Sequence, residues 1–247
     1  MQLRQAMGSS NDGHLSAQPG ASPCGTFRDV GLFAQTLTGL PFSGRPGLFL
    51  DRDGVLVEEI NYLHRPEDVI FISGAAQAIA RVNRAGVAII MVTNQAGIAR
   101  GLYTWDDFLA VQQCIYSHCA LHGGHFDMVL ACAYHRDGIG DYAITDHPWR
   151  KPAPGMLLEA ARILQVDLGR SFIIGDSFSD LAAGHAAGLP RGALVRTGHG
   201  EREWRKGGKT RFAEWRNNLD FVPHRAENVV AAIDQWLEEL MSRKNAP

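Results

Sequence analysis

Charge of one sign is not in excess: 24 Lys and Arg stand against 26 Asp and Glu, for a net charge of -2 over 247 residues. That balance gives no global electrostatic case for nucleic acid or an anionic membrane, so any anion site must be local. Cysteine is scarce, with four residues at 24, 114, 119 and 132 and no CxxC pair. Such spacing suits reduced thiols and not a disulfide framework. No apolar run approaches the roughly 18 residues of a membrane span, and the chain opens without a basic segment followed by an apolar one. The expectation is a cytoplasmic protein without membrane or nucleic-acid partners. The composition defines no oligomeric state, and a monomer is taken as the default.

Hydrophobic residues make up 45% and charged residues 20% of the chain, which is ordinary for a folded protein with a sizeable core. Residues 1–45 are rich in Gly, Ser, Pro and Gln with one apolar patch, Val30 to Ala34, and read as an extension ahead of the core. From residue 46 to 243, short apolar runs alternate with amphipathic stretches, the pattern of an α/β fold with a parallel sheet and crossover helices. Strands are expected at 47–50, 87–92, 127–132, 171–175 and 192–195, with a last short one at 220–222. Helices are expected at 75–85, 105–122, 155–164, 179–187 and 226–241. In the last of these, Val229, Val230, Ile233, Trp236, Leu237 and Leu240 form one apolar stripe, read as core packing. The segment 202–216, where six basic residues alternate with Glu203, Glu214, Trp204 and Trp215, reads as a solvated loop or an approach to a distal phosphate.

Ligands of open parallel sheets bind beyond the carboxyl ends of the strands, so the residues directly after each apolar run are the informative ones. Leu48-Phe49-Leu50 is followed by Asp51-Arg52-Asp53-Gly54, the second run by Thr93-Asn94-Gln95, and Phe172-Ile173-Ile174 by Gly175-Asp176, with Asp180 beyond. Arg150-Lys151-Pro152 lies in a further loop. Two aspartates at i and i+2 of an extended segment share a side of the chain and can divide labour. Asp51 is the candidate nucleophile towards phosphorus and Asp53 the candidate proton donor to the leaving oxygen. Asp176 could complete a Mg²⁺ site with Asp51, and Lys151 would supply further positive charge. Thr93 and Asn94 could donate to the non-bridging phosphate oxygens. Each motif alone is commonplace in turns and caps; the ordered set is what carries the reading.

That ordered set resembles the haloacid dehalogenase superfamily of aspartate-nucleophile phosphatases. Within it the runs Phe49 to Gly54, Val92 to Gly101 and Arg150 to Met156 are similar to the branch of heptose bisphosphate phosphatases. The sister branch, acting on histidinol phosphate, shares the aspartates, Thr-Asn-Gln and Arg-Lys-Pro and is the alternative, along with other small phosphomonoesters. A phosphosugar-binding protein without catalysis is the alternative of another class. The resemblance covers about residues 46–200 and implies a Rossmann-like sheet with no large cap domain. It further implies an aspartyl-phosphate on Asp51, with Asp53 acting as general acid and then as base. Mg²⁺ would be held by Asp51, the backbone carbonyl of Asp53 and Asp176. Arg150 and Lys151 would meet phosphate and sugar, with Thr93, Asn94 and Gln95 around the phosphate. Glu59, Asn61 and Tyr62 would shape the sugar pocket. Arg52 packs or pairs, and Asp180 either orders Lys151 or ligates the metal. The branch commonly carries a four-ligand zinc loop ahead of Arg-Lys-Pro. Here only Cys132, His135 and His147 remain, with Asp146 a conceivable fourth, so Zn²⁺ is not expected. The pocket is expected to be open, walled by loops 55–70 and 133–149, with His64, Tyr62 and His135 on the rim. His118, His122, His125 and His185 are read as structural.

Overall fold

The computed structural model describes residues 26–39, 41–217 and 221–244. Cys24 and the greater part of the expected extension lie outside these residues, as does Asp220, the expected start of the last strand. Eight strands form one sheet, β1 (Thr26–Asp29), β2 (Leu32–Thr36), β3 (Gly47–Leu50), β4 (Ala88–Asn94), β5 (Met128–Cys132), β6 (Phe172–Gly175), β7 (Arg191–Val195) and β8 (Val222–Ala226). Their order is β1-β2-β5-β4-β3-β6-β7-β8. Strands β3 to β8 are mutually parallel, and β2 runs antiparallel to both of its neighbours, β1 and β5. No large cap domain interrupts the alternation.

The apolar runs are continuous because both faces of the sheet are covered. Successive residues of β3 point to opposite sides: Leu48 and Leu50 join Ile89, Met91 and Ile174 in one core, while Phe49 joins Ile90, Val92 and Ile173 in the other. The first core is closed by α1 (Ala75–Arg84), α3 (Trp105–Leu121) and α8 (Val229–Lys244), the second by α4 (Gly155–Leu164) and α5 (Phe178–Ala186). The stripe expected on the last helix faces the core, with Val229 and Ile233 fully buried and Val230 partly so. Thr104 and Asp107 form a reciprocal capping box that starts α3.

Three features differ from the sequence expectation. Residues 26–36, assigned to the extension, form a hairpin whose second strand pairs with β5 and places Phe33 in the core. Its strands are only 4 and 5 residues long, and β2 is buried through a partner nearly a hundred residues away, which local patterning does not reveal. A short helix, α2 (Ala96–Ala99), follows β4 directly. The segment 202–216 is not a loop: α6 (Gly200–Arg205) and α7 (Gly208–Asn217) pack Trp204, Phe212 and Trp215 against one another and onto Phe178 and Phe221. The mixed charges of that segment mask its aromatic stripe.

Chain order reverses at β3. From there the chain moves outward through β4 to β5, then returns to β6 on the other flank and proceeds to β8. The switch point lies between β3 and β6, and the residues just past their carboxyl ends are Asp51 and Asp176.

Candidate active site

Asp51 leaves β3 still in sheet register, its amide donating to Ile174 O at 3.0 Å. Beside it, the Lys151 ammonium is buried and donates to Asp51 Oδ1 at 2.9 Å, Asp180 Oδ1 at 2.7 Å and Val92 O at 2.7 Å. Burial opposes its charge, but Asp180 and Asp51 outweigh burial and hold the ammonium above its ordinary pKa. The loop carrying Lys151 is fixed by Asn94, whose amide donates to Lys151 O at 3.0 Å and accepts from Lys151 N at 3.1 Å.

Asp180 serves two structures at once. Its Oδ2 accepts from Ser177 N at 3.0 Å in the capping box that starts α5, and its Oδ1 pairs with Lys151. Burial pushes its carboxyl up to about 6, against the pull of Lys151. Asp176 accepts from His199 N through Oδ2 at 2.7 Å. Burial, with Asp51 and Asp180 nearby, raises it well above the usual carboxylate range. Ligand oxygens of Asp51, Asp176 and Asp180 all lie within 4.8 Å of one another, the group able to hold a cation among the described residues. Three carboxylates around one ammonium, Asp176 and Asp180 buried and Asp51 partly so, remain short of positive charge, which is the donor set a hard divalent cation fits.

Gly54 closes this cluster from the other side. Its φ is +75°, and a Cβ there would lie 2.3 Å from Asp176 Oδ2. Gly54→Ala is therefore expected to add left-handed strain of about 1–2 kcal/mol and to displace Asp176. The rise in melting temperature on adding Mg²⁺ should shrink, and an unchanged metal response would contradict this placement.

Asp53 sits against a fully buried guanidinium. Arg52 Nε lies 3.1 Å from both carboxylate oxygens, and its terminal nitrogen 3.0 Å from Oδ2. Arg52 thus pairs; the same terminal nitrogen also reaches Gln95 Oε1 and Leu63 O, the other terminal nitrogen reaches Gln112 Oε1, and the guanidinium lies over the Phe108 ring. A pocket of about 200 Å³ opens beside Asp53, lined among others by Glu59, Asn61, Tyr62, Tyr103 and His199. Asn61 and Tyr62 both have positive φ, 58° and 63°, a turn that brings the Tyr62 hydroxyl onto Arg100.

The structure brings Asp51, Asp53, Thr93, Gln95, Lys151, Asp176 and Asp180 together. Asn94 and Gln95 both line the pocket. The Asn94 amide uses one donor and one acceptor position on the Lys151 backbone, while that of Gln95 meets protein partners at all four of its hydrogen-bonding positions. Arg150 donates to Tyr134 O at 2.9 Å, and the loop 133–149 supplies none of the pocket's lining. None of the basic residues of 202–216 lines the pocket either. The residues of the degenerate zinc loop are held separately: Cys132 is buried in β5, His135 Nδ1 accepts from Asp137 N, and His147 Nδ1 accepts from Trp149 N while its ring stacks on Tyr134. Sequence reasoning missed Tyr103, Arg100 and the backbone of His199. None follows a strand directly, so the strand-end rule could not find them.

A parallel sheet with carboxylates at its switch point and a buried lysine defines a haloacid dehalogenase-like phosphomonoester hydrolase. Residues 148–221 match the HAD-hydrolase-like family model. The chain is 49% identical over 150 residues to the D-glycero-beta-D-manno-heptose-1,7-bisphosphate 7-phosphatase of Mesorhizobium japonicum, covering 61% of this chain and 69% of that one. It is 40% identical over 155 residues to the enzyme of the same name from Vibrio cholerae, covering 62% and 83%. The crystal structure of the D,D-heptose 1,7-bisphosphate phosphatase from B. bronchiseptica, complexed with magnesium and phosphate, superposes with a TM-score of 0.67 at 32% identity, covering 78% and 99%. The chain belongs to this family of haloacid dehalogenase-like phosphatases.

Proposed function

We propose that the chain is a Mg²⁺-dependent phosphatase that removes the 7-phosphate of D-glycero-D-manno-heptose 1,7-bisphosphate through an aspartyl-phosphate on Asp51. The observation that carries this reading is the single ammonium of Lys151 shared between Asp51 and Asp180, with Asp176 in the same cluster and Asp53 two residues along the turn. The names of the relatives support the substrate, and the magnesium of the B. bronchiseptica complex supports the metal.

Asp51 and Asp176, with the backbone carbonyl of Asp53, would hold Mg²⁺, which when bound neutralises phosphate charge beside the carboxylates. Asp51 attacks phosphorus, and the bond from phosphorus to the sugar oxygen breaks as Asp53 gives that oxygen its proton. Asp53 then takes a proton from the water that attacks the aspartyl-phosphate, which releases inorganic phosphate and restores both carboxyl groups. Lys151 and the Thr93 hydroxyl offset charge on the non-bridging oxygens. Asp180 orders Lys151 through Oδ1 and caps α5 through Oδ2, a positioning role beside the metal carboxylates Asp51 and Asp176. Glu59, Asn61 and Tyr62 form the sugar side of the pocket. The catalytic unit spans about residues 46–243 with the hairpin of 26–36 added to its sheet. No described helix is long and apolar enough to cross a membrane; a cytoplasmic location belongs to the proposal through its phosphosugar substrate.

Phosphate release with Mg²⁺ tests the reading, comparing the heptose bisphosphate, histidinol phosphate and other sugar phosphates by kcat/KM. The expected result is a preference of at least about 10²-fold for the heptose bisphosphate, with heptose 1-phosphate as the remaining product by phosphorus NMR and loss of activity in EDTA. Preference for histidinol phosphate, or retention of the 7-phosphate, would overturn the assignment.

A further inference from the structure

We infer that Tyr103, acting through Gln95, is a positioning residue for Asp53, and that the same amide aims the Thr93 hydroxyl at the phosphate. The inference rests on the proposed role of Asp53 as proton donor. Arg52 Nε lies 3.1 Å from each Asp53 oxygen, and its terminal nitrogen, at 3.0 Å, faces Oδ2 alone. Gln95 Nε2 adds a second donor on that side, at 3.2 Å from Oδ2, while Oδ1 keeps only the Nε contact. Oδ1 is thereby the oxygen left to carry a proton to the leaving group.

Gln95 can do this only in one of its two amide orientations. Its Oε1 faces two donors, Arg52 at 3.1 Å and the Tyr103 hydroxyl at 2.5 Å, and its Nε2 faces Asp53 Oδ2 and Thr93 Oγ1, the latter at 2.8 Å. Flipped, the amide would set its NH2 against a guanidinium and its oxygen against a carboxylate. Tyr103 is the neutral donor that locks the correct orientation, and burial keeps its hydroxyl protonated. Because Thr93 Oγ1 accepts from Gln95, its own hydrogen is free to point away towards phosphate.

The ring of Tyr103 is itself clamped. His64 stacks on it at 5.7 Å between centroids and 8° between planes. On the chain side Gly97 makes the space, since a Cβ at 97 would lie 2.0 Å from Tyr103 Cε1. The glycine inside the Gln95-Ala96-Gly97 run thus has a task that local turn geometry does not supply: it admits the ring that fixes Gln95.

The test is Tyr103→Phe, which keeps the ring and removes the hydroxyl, assayed on two leaving groups. One substrate is the best primary sugar phosphate of the substrate comparison, whose alkoxide needs a proton; the other is p-nitrophenyl phosphate, whose phenolate does not. The expected kcat/KM falls about tenfold on the sugar phosphate and less than about twofold on the aryl phosphate, with the loss in kcat and not in KM. Gln95→Met breaks the same bridge at similar volume and should give the same selective loss, with no further loss in the double variant. Equal effects on the two substrates, or none on either, in whichever of these variants folds, would overturn the inference. Asp53→Asn is the reference. A selective loss there with none in Tyr103→Phe or Gln95→Met removes only the role of Tyr103 and Gln95, whereas an unselective loss in Asp53→Asn removes the acid role of Asp53 and this inference with it.

Discussion

Asp51→Asn is expected to lower kcat/KM by roughly 10⁴-fold or more while leaving the fold intact. Asparagine fills the same volume at the end of β3, and the amide of residue 51 keeps its bond to Ile174 O. What it lacks is the charged oxygen proposed to attack phosphorus. It also removes one of the charges that, after burial, raise Asp176 and Asp180. A carboxyl whose folded pKa lies above its unfolded value contributes stability in full below the unfolded value, and that contribution is lost as pH rises through the folded one. In metal-free protein Asp180 therefore disfavours the folded state increasingly as pH climbs from about 4 through about 6, and Asp176, raised well above the usual carboxylate range, acts in the same direction. The variant relieves part of that cost. In EDTA the melting temperature of Asp51→Asn should exceed that of the wild type by a margin that widens between about pH 5 and 7.5. Residual turnover at the wild-type rate would refute the nucleophile, and a margin that narrows with pH would refute the electrostatic account of the cluster.

Lys151→Met is expected to damage stability and activity together. The ammonium is buried and is the shared partner of Asp51 and Asp180. Removing one member of such a group leaves charge uncompensated in the interior, at a cost of about 3–5 kcal/mol, and removes a phosphate-facing cation, for a further loss of roughly 10³-fold in kcat. The two effects separate in the double variant Lys151→Met with Asp180→Asn. With the stranded charge of Asp180 gone, the melting temperature should recover part of the deficit while activity stays absent. Denaturant melts and phosphate release on the three variants measure this; a single variant that melts with the wild type would show that Lys151 does not hold the carboxylates.

Much of the fold and the centre of the candidate site was legible in the sequence for one physical reason. A strand covered on both faces must be apolar throughout, and Leu48-Phe49-Leu50 and Phe172-Ile173-Ile174 cannot be mistaken for a solvated surface. Polar residues that interrupt such runs at their carboxyl ends stand out, and Asp51, Asp53, Thr93 and Asp176 are those residues. Asp180 stands in the same strand-end run, but its double use, capping α5 and pairing with Lys151, belongs to the fold.

The features that stayed hidden depend on partners distant in the chain. The hairpin of 26–36 is a pair of short strands whose burial exists only through β5. Helices α6 and α7 carry their aromatic contacts within a charged surface, so the local pattern reads as solvated. Asn94 and Gln95 occupy the positions expected, but their side-chain partners, Lys151 for one and Asp53, Arg52, Thr93 and Tyr103 for the other, are set by the fold. The sheet, the carboxylates at its strand ends and the class of chemistry they permit are all written in the residue order, because hydrophobic burial and strand alternation are local in register. Which oxygen of Asp53 is free, which amides face protein and not substrate, and which aromatic ring fixes them become definite only in the folded chain, because a hydrogen bond is directional and its partner can lie anywhere along the sequence.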